Sequence, residues 1–232
     1  MREFLCNFVA ENFFSIHIGM IITIARQCGC GALEVGKLLA ARYDIPFYTR
    51  KSLMQMARDN GVLGKMHDFF EERPVDELMY AISAFENEEG NDETNHHSMR
   101  LLANLIGRRD CVIIGRCGNY IFRNRADLVS VFLKGNFEER VKAMARCDNM
   151  SLAEAEEFVR ETDDSRVRYH KYYTGLTWGN ADDYDICFDS LRLGTEKTAL
   201  LIGEYVKDVG LSTVEYEIRK AILAYPFFFL SR

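Results

Sequence analysis

This sequence has few prolines, one tryptophan and no excess of positive charge. Among 232 residues there are 3 prolines, and the 16 glycines are too few for a collagen-like or linker-dominated chain. Acidic residues outnumber basic ones by 35 to 29, and the net charge of −6 argues against nucleic acid as a partner. No run of about 18 uncharged apolar residues occurs, so we expect no membrane-spanning helix and no membrane partner.

The cysteines form neither a disulfide framework nor a zinc motif. The seven cysteines are an odd number, and Cys28-Gly29-Cys30 has no second Cys or His pair at zinc-finger spacing. We therefore expect no metal-ligating side chains. Cys111 begins an apolar run, in which cysteine behaves as a small hydrophobic residue. Free thiols are typical of a reducing compartment, and we predict a cytoplasmic protein.

The composition predicts one folded domain with two short flanks. Apolar residues make up 48% of the chain and charged residues 28%, which is typical of a globular protein. Glu3, Glu11 and His17 interrupt what would otherwise resemble a signal peptide. We expect residues 1–19 to be an extension outside the fold, because a second methionine, Met20, stands directly before the first predicted strand. The domain is expected over residues 20–210, with 211–232 as a C-terminal tail.

Strand and helix patterns alternate along the domain. Four short apolar runs have the character of strands covered on both faces. They are Ile21–Ala25, Cys111–Ile114, Leu128–Leu133 and Tyr184–Phe188. A helix is expected over Ala32–Tyr43, and residues 51–110 hold helical patterns without a convincing strand. The sequence therefore predicts an α/β fold with a parallel central sheet and an inserted helical lobe.

The junction after the first strand is the strongest local signal for chemistry. Gly29 and Gly31 permit a turn whose amides, together with the following helix N-terminus, suit a phosphate. An ordinary tight turn between strand and helix would have the same sequence. Measured against the P-loop pattern, Ala32 stands where the lysine belongs, and the Ser/Thr magnesium ligand is absent. Arg26 is the nearest residue that could supply the missing positive charge.

Two further arginine signals follow. Arg116 comes directly after the strand Cys111–Ile114, at the end of a parallel strand where open α/β sheets bind ligands. A surface arginine on a loop is the alternative. Between residues 140 and 168 arginines are dense and two aspartates lie among them, which suits either a solvated helix with ion pairs or a mobile lid that closes on a phosphoryl group. These residues are Arg140, Arg146, Arg160, Arg166 and Arg168, with Asp163 and Asp164.

A helix is expected to begin in this arginine-rich stretch, because Ser151 and Glu154 form the S-x-x-E capping box. Its spacing predicts one apolar face and an opposite face that carries the charged residues. The predicted apolar face consists of Leu152, Ala155, Phe158, Val159 and Thr162, and the opposite one of Arg160, Asp163 and Asp164.

Together these segments resemble the cytidylate kinase-like family of P-loop phosphotransferases, from about Ile21 to Val209. The segments that carry the resemblance are Ile22–Gln27, Gly29–Gly31, Ile45–Arg50, Val112–Arg116, Asp163–Arg166, Tyr172–Gly179 and Tyr184–Ser190. The resemblance implies a three-layer P-loop fold with a parallel sheet, a helical lobe for a nucleoside monophosphate and an arginine-bearing lid over about 137–178.

The resemblance also implies site residues, position by position. The turn that would cradle the donor phosphates consists of Gln27, Cys28, Gly29, Cys30, Gly31 and Ala32. Arg50 and Arg116 would hold the acceptor. The residues with implied catalytic roles are Arg26, Arg140, Arg146, Asp163 and Arg166.

The implied reaction is phosphoryl transfer from ATP, with Mg²⁺, to a nucleoside monophosphate, CMP or dCMP being the first expectation. Two alternatives stay open. One is a module that binds nucleotide without catalysis, which the missing P-loop lysine favours. The other is a kinase whose small-molecule acceptor is not a nucleotide.

Overall fold

The computed structural model describes residues 20–70 and 92–224, and within these the side chains of 92–96 and 210–224 are not described. The expected extension over 1–19 lies outside the described residues, as does the last part of the expected tail, 225–232. The boundary expected at residue 210 falls inside a helix that continues to Ala224.

Five parallel strands form the centre of the fold and confirm the predicted sheet. They are β1 (Ile21–Arg26), β2 (Phe47–Tyr48), β3 (Cys111–Ile114), β4 (Leu128–Lys134) and β5 (Ile186–Asp189). Their spatial order is β2-β3-β1-β4-β5. The sequence patterns did not indicate β2, which has only two residues at the sheet edge. The fourth strand was expected from Tyr184 but pairs from Ile186.

Nine α-helices connect and cover the strands in the described part of the chain. They are α1 (Ala32–Tyr43), α2 (Arg50–Asp59), α3 (His67–Phe70), α4 (Asp92–Ile106), α5 (Gly118–Ile121), α6 (Phe137–Asp148), α7 (Leu152–Thr174), α8 (Ser190–Leu193) and α9 (Thr195–Ala224). The described part of the inserted lobe, α2 to α4, is helical as predicted. No helix in the described ranges combines the length and the hydropathy needed to cross a membrane.

Apolar side chains cover both faces of the sheet. Because successive side chains of a strand alternate between faces, Ile22 and Ile24 of β1 pack with α1 and α9. Ile21 points to the opposite face, where the helices of the inserted lobe and the C-terminal half of α7 pack. Thr23 shares that second face and is 2% exposed. The alternation therefore places one buried hydroxyl on the side of the sheet that α7 covers.

The predicted apolar face of α7 is wrong in part. Ala155 and Val159 are buried, but Leu152 is 61% and Phe158 40% exposed. The face that packs inward instead continues to Asp163, one turn beyond Val159, and Asp163 lies against the turn after β1. The ion pairs of Asp163 and its hydrogen bond with a backbone amide stabilise this orientation of the helix. Hydropathy periodicity carries no information about such interactions.

Candidate active site

The turn after β1 is a tightly packed glycine turn at the carboxyl edge of the sheet. Gly29 and Gly31 have φ angles of 83° and 65°, which glycine adopts without strain. A Cβ on Gly29 would lie 2.7 Å from the backbone oxygen of Arg140, so only glycine fits there. The Gln27 side chain accepts a hydrogen bond from the Gly135 amide, 3.0 Å away. Gln27 therefore holds the loop after β4 against the turn.

The amides of this turn lie directly before and at the start of α1. Cys30 is 1% exposed, and its carbonyl accepts a hydrogen bond from the Ser190 hydroxyl at 2.8 Å. Ala32 is the first residue of α1, so its amide belongs to the helix N-terminus that carries partial positive charge. No described residue accepts a hydrogen bond from the amides of Gly29 to Ala32. These donors are available to phosphate oxygens.

Asp163 already places an anion at this turn. Its Oδ1 accepts a hydrogen bond from the Cys28 amide at 2.7 Å. Its Oδ2 pairs with Arg140 at 2.6 Å, and Arg166 approaches Oδ1 at 3.5 Å. Arg166 also donates to the carbonyl of Arg26, 3.1 Å away. One carboxylate thus links β1, the turn, α6 and α7, and it lies where two guanidinium groups and an amide converge.

Arg140 and Arg146 were both assigned to the lid, and the structure separates them. Arg140 is 5% exposed and donates to the Cys28 carbonyl as well as to Asp163. Arg146 is exposed on the last turn of α6. The structure therefore brings Arg140 to the turn and leaves Arg146 at the surface.

A second turn, after β3, is formed by three consecutive residues with positive φ. Gly115, Arg116 and Cys117 have φ angles of 72°, 55° and 53°. Residues other than glycine rarely adopt this conformation, and such strain concentrates at functional sites. A Cβ on Gly115 would lie 2.5 Å from Nη1 of Arg26, so the two turns pack directly against each other.

The two arginines assigned to the acceptor meet at the end of α3. Arg116 is 8% exposed, donates to the Phe69 carbonyl at 2.8 Å, and its guanidinium lies 4.4 Å from the centre of the Tyr169 ring. Arg50 donates to the next carbonyl, that of Phe70, at 3.1 Å. The structure thus brings Arg50 and Arg116 together at the last carbonyls of one short helix.

A cavity of about 580 Å³ opens beside the two turns. Four arginines line it, and the exposed part of its wall also carries carboxylates from α7. These charged residues are Arg26, Arg116, Arg166, Arg168, Glu161 and Asp164. Several uncharged lining residues are buried, and we call Thr23, Cys117, Asn119 and His170 the cavity floor. Arg116, which is 8% exposed, lies beside this floor, whereas Arg26, Arg166 and Arg168 are partly exposed.

The sequence reasoning missed the cavity floor. His170 was interpreted as a packing residue, with contact to a base as the alternative. Thr23 lies in a segment that carries the family resemblance, but neither it nor Asn119 was assigned a role. His170 is 3% exposed, and burial lowers its pKa to about 4, so its imidazole is neutral near pH 7. Burial also raises the pKa of Cys117 to about 12, which keeps the thiol protonated. Only the fold brings β1, the second turn and α7 together, so no local signal could have identified this group.

Comparison with known proteins establishes the family to which this chain belongs. The sequence matches the model of the cytidylate kinase-like family over residues 21–192. The chain belongs to this family. A cytidylate kinase from Pyrobaculum neutrophilum is 23% identical over 207 residues, covering 88% of this chain and 99% of the relative. A cytidylate kinase from Methanosarcina mazei is 25% identical over 184 residues, covering 77% and 92%.

A solved structure supports the fold of this cytidylate kinase-like chain. An uncharacterized protein from Eubacterium ventriosum superposes with a TM-score of 0.64 at 23% identity, covering 82% of this chain and 99% of that chain. The α/β P-loop fold expected from the sequence is confirmed, as is the family resemblance. Within this fold, Ala32 occupies the position after the glycine turn, and the nearby Lys37 is exposed and pairs with Glu34 at 3.8 Å.

Proposed function

We propose that this chain transfers the terminal phosphoryl group of ATP to a nucleoside monophosphate, with CMP or dCMP as the first candidate. The observation that carries the proposal is the convergence of four arginines on one cavity beside the phosphate-binding turn. Phosphoryl transfer needs positioning and neutralisation of charge on the moving group, which guanidinium groups supply. Membership of the cytidylate kinase-like family and two relatives named cytidylate kinase support the same reaction.

The donor site consists of the glycine turn and the arginines around Asp163. The amides of Gly29 to Ala32 would hold donor phosphate oxygens, and Arg140 and Arg166 supply the positive charge that the missing lysine does not. A phosphate oxygen that accepts from the Cys28 amide takes the place of Asp163 Oδ1. Asp163 would then still orient Arg140 through Oδ2.

Mg²⁺ would neutralise charge on the donor oxygens. No group of three His, Cys, Asp or Glu side chains able to hold an ion occurs in the described residues. Mg²⁺ is commonly held by one or two carboxylates, several waters and the substrate phosphates. The exposed carboxylates of Glu161 and Asp164 in the cavity wall could supply these one or two protein ligands. We therefore propose that the ion binds together with ATP.

The test is ADP formation from ATP and Mg²⁺ with CMP, dCMP, UMP, AMP and GMP offered separately, each against a control without acceptor. We expect turnover with CMP or dCMP. Arg116→Ala should lower that turnover by about 10³ or more, because Arg116 lies in the cavity wall and an arginine that stabilises transferring charge has an effect of this size. A fall of about threefold or less would remove Arg116 from the acceptor site.

A nucleotide-binding module without catalysis is the second candidate. The specific observation in its favour is Ala32 at the P-loop lysine position, with Lys37 paired to Glu34 on the exposed side of α1. If ATP raises the melting temperature of the protein but none of the five nucleotides is phosphorylated, the result supports this candidate and contradicts the kinase.

A further inference from the structure

We propose that Thr23 and His170 recognise the uncharged base of the acceptor nucleotide in the cavity floor. This inference rests on the proposed function and specifies which end of the acceptor lies deepest. Both side chains line the cavity, one from β1 and the other from α7, and both are at least nine-tenths buried. The Thr23 hydroxyl and the His170 Nε2 are buried without a hydrogen-bond partner among the described residues.

Two buried polar atoms without partners are costly, and both lie at one cavity. A buried polar group without a partner loses its hydration and gains nothing in return. Ser190 and Thr198 are paired, with the Cys30 and Gly194 carbonyls, whereas Asp183 Oδ2 and Tyr184 OH are also unpartnered and belong to residues that line a neighbouring cavity. The Thr23 hydroxyl and His170 Nε2 are not exposed in this structure, so a ligand with its own donors and acceptors would satisfy them after a small movement of the side chains, which a packing role does not require.

The second turn positions both groups. The Thr23 methyl packs against Gly118, where a Cβ would lie 2.8 Å from it. The Cys117 sulfur lies 3.7 Å from Nδ1 of His170. A protonated thiol that donates to Nδ1 leaves the imidazole hydrogen on Nε2. His170 then presents a donor to the cavity, and the Thr23 hydroxyl both donates and accepts.

The chemistry of the floor selects the class of ligand. Neutral hydrogen-bonding groups suit an uncharged heterocycle with carbonyl and amine edges, whereas a carboxylate or phosphate needs positive charge. The arginines supply that charge in the same cavity: Arg26, Arg166 and Arg168 are partly exposed, and the buried Arg116 adjoins the floor. A nucleoside monophosphate fits both ends, with its phosphate among the arginines and its base against Thr23 and His170.

The test compares four variants of the full chain: Thr23→Val, His170→Phe, His170→Gln and the control Thr198→Val. Valine keeps the shape of threonine, and glutamine keeps a hydrogen-bonding group near the position of Nε2. The measurements are the KM for CMP, the KM for ATP, kcat, and the Kd of CMP by calorimetry without ATP. Circular dichroism and the melting temperature report whether each variant is folded.

We expect Thr23→Val and His170→Phe to raise the KM and Kd for CMP by about tenfold each, the effect of losing one hydrogen bond. The KM for ATP should change by less than about twofold, and His170→Gln should recover part of the affinity. Thr198→Val should leave CMP binding unchanged, because its hydroxyl donates to the Gly194 carbonyl and Thr198 does not line the cavity.

Three other outcomes are distinguishable. If the folded variants bind CMP as the wild type does, or weaken ATP equally, the inference is overturned while the proposed function stands. If the wild type binds CMP without forming ADP, the proposed function fails, and the calorimetric comparison still decides the role of Thr23 and His170. If the wild type binds none of the five nucleotides, the inference and the proposed acceptor class are both overturned.

Discussion

The two turns at the carboxyl edge of the sheet are similar in position and different in how they are held. Each follows a parallel strand, β1 or β3, and the Arg26 side chain packs against Gly115 between them. The first turn is held by charged side chains of α6 and α7, chiefly Arg140 and Asp163. The second is held by its own strained backbone and by Arg116, which binds the end of α3.

This difference separates two ways of building a site for a charged substrate. At the first turn, positive charge comes from distant parts of the chain and is balanced by one carboxylate. At the second, one arginine is positioned by the Phe69 carbonyl of α3 and the Tyr169 ring of α7, and the neutral cavity floor lies beside it. The first turn should therefore be sensitive to changes in α6 and α7, and the second to changes in its own backbone.

The largest expected effect is on kcat, at the first turn, which charged side chains hold. We expect Arg166→Ala to lower kcat by about 10³ or more, since it removes a guanidinium that lies at Asp163 and lines the cavity. The control is Arg160→Ala, on the same helix, where the exposed arginine pairs with Glu156, lies over the Phe137 ring and does not line the cavity. ADP formation with CMP measures both, and equal losses would contradict a specific role for Arg166.

The next effect is on stability. Arg140→Ala should lower the free energy of unfolding by about 3 kcal/mol, because Asp163 would lose its buried partner. Arg146→Ala, on the same helix but exposed, should change it by less than about 0.5 kcal/mol. Urea unfolding curves give both values. Similar values for the two variants would show that the cluster around Asp163 contributes little to folding.

Glycine substitutions compare the two turns directly. Gly29→Ala should lower the free energy of unfolding by about 2–3 kcal/mol. The new Cβ would clash with the Arg140 backbone, and alanine is also unfavourable at this positive φ. Gly115→Ala should lower it by about 1 kcal/mol, since the Cβ meets only the end of the Arg26 side chain. Gly61→Ala isolates the effect of φ, because no atom lies within 4 Å of the new Cβ.

The same urea measurements decide this third prediction. If Gly115→Ala lowers the free energy of unfolding by more than Gly29→Ala does, the second turn is the more tightly packed of the two, contrary to the structure. A separate measurement of the KM for ATP should show a larger increase for Gly29→Ala, because that substitution moves the amides proposed to bind the donor.

The smallest effect comes from the cavity floor. Burial lowers the pKa of His170 to about 4, below its ordinary value of 6.5. Between these values the unfolded chain binds a proton that the folded chain does not, so folding stability falls as the pH falls through this window. At about pH 5.5 the contribution is about 1 kcal/mol.

The measurement is the melting temperature of the wild type and of His170→Gln between pH 7.5 and 4.5. The wild type should lose more stability than the variant, because only the wild type has an imidazole to protonate, while the carboxylates of both titrate alike. Parallel curves would show that His170 accepts a proton freely in the folded state.

Much of the fold follows from local sequence. The run Cys111–Ile114 and the helix Ala32–Tyr43 have the bounds that the patterns predict, because hydropathy and the glycine turn before the helix define them. The two-residue strand β2 has too few residues for a periodic pattern. The candidate turn Gly29–Gly31 and the position of Arg116 after β3 were also evident from sequence, since the order strand, glycine, helix is itself local.

The partners of these residues were not evident. Asp163 was assigned to the outer side of α7, yet it accepts from the Cys28 amide, which is 135 residues away in the chain. Arg140 and Arg146 are equivalent in the sequence pattern, and only the packing of α6 against the first turn buries one and exposes the other. Neither hydropathy nor spacing encodes an ion pair between two helices.

The sequence by itself determined the parallel α/β sheet, the glycine turn after β1 and the arginine after β3, because strand alternation and turn chemistry depend on neighbouring residues. Only the tertiary structure decided which arginines reach the turn, that Asp163 lies between them, and that Thr23 and His170 share one cavity. The contacts of Arg140, Asp163 and Arg166 with β1 and its turn join residues more than 100 positions apart, and they exist only where the sheet and the helices pack together.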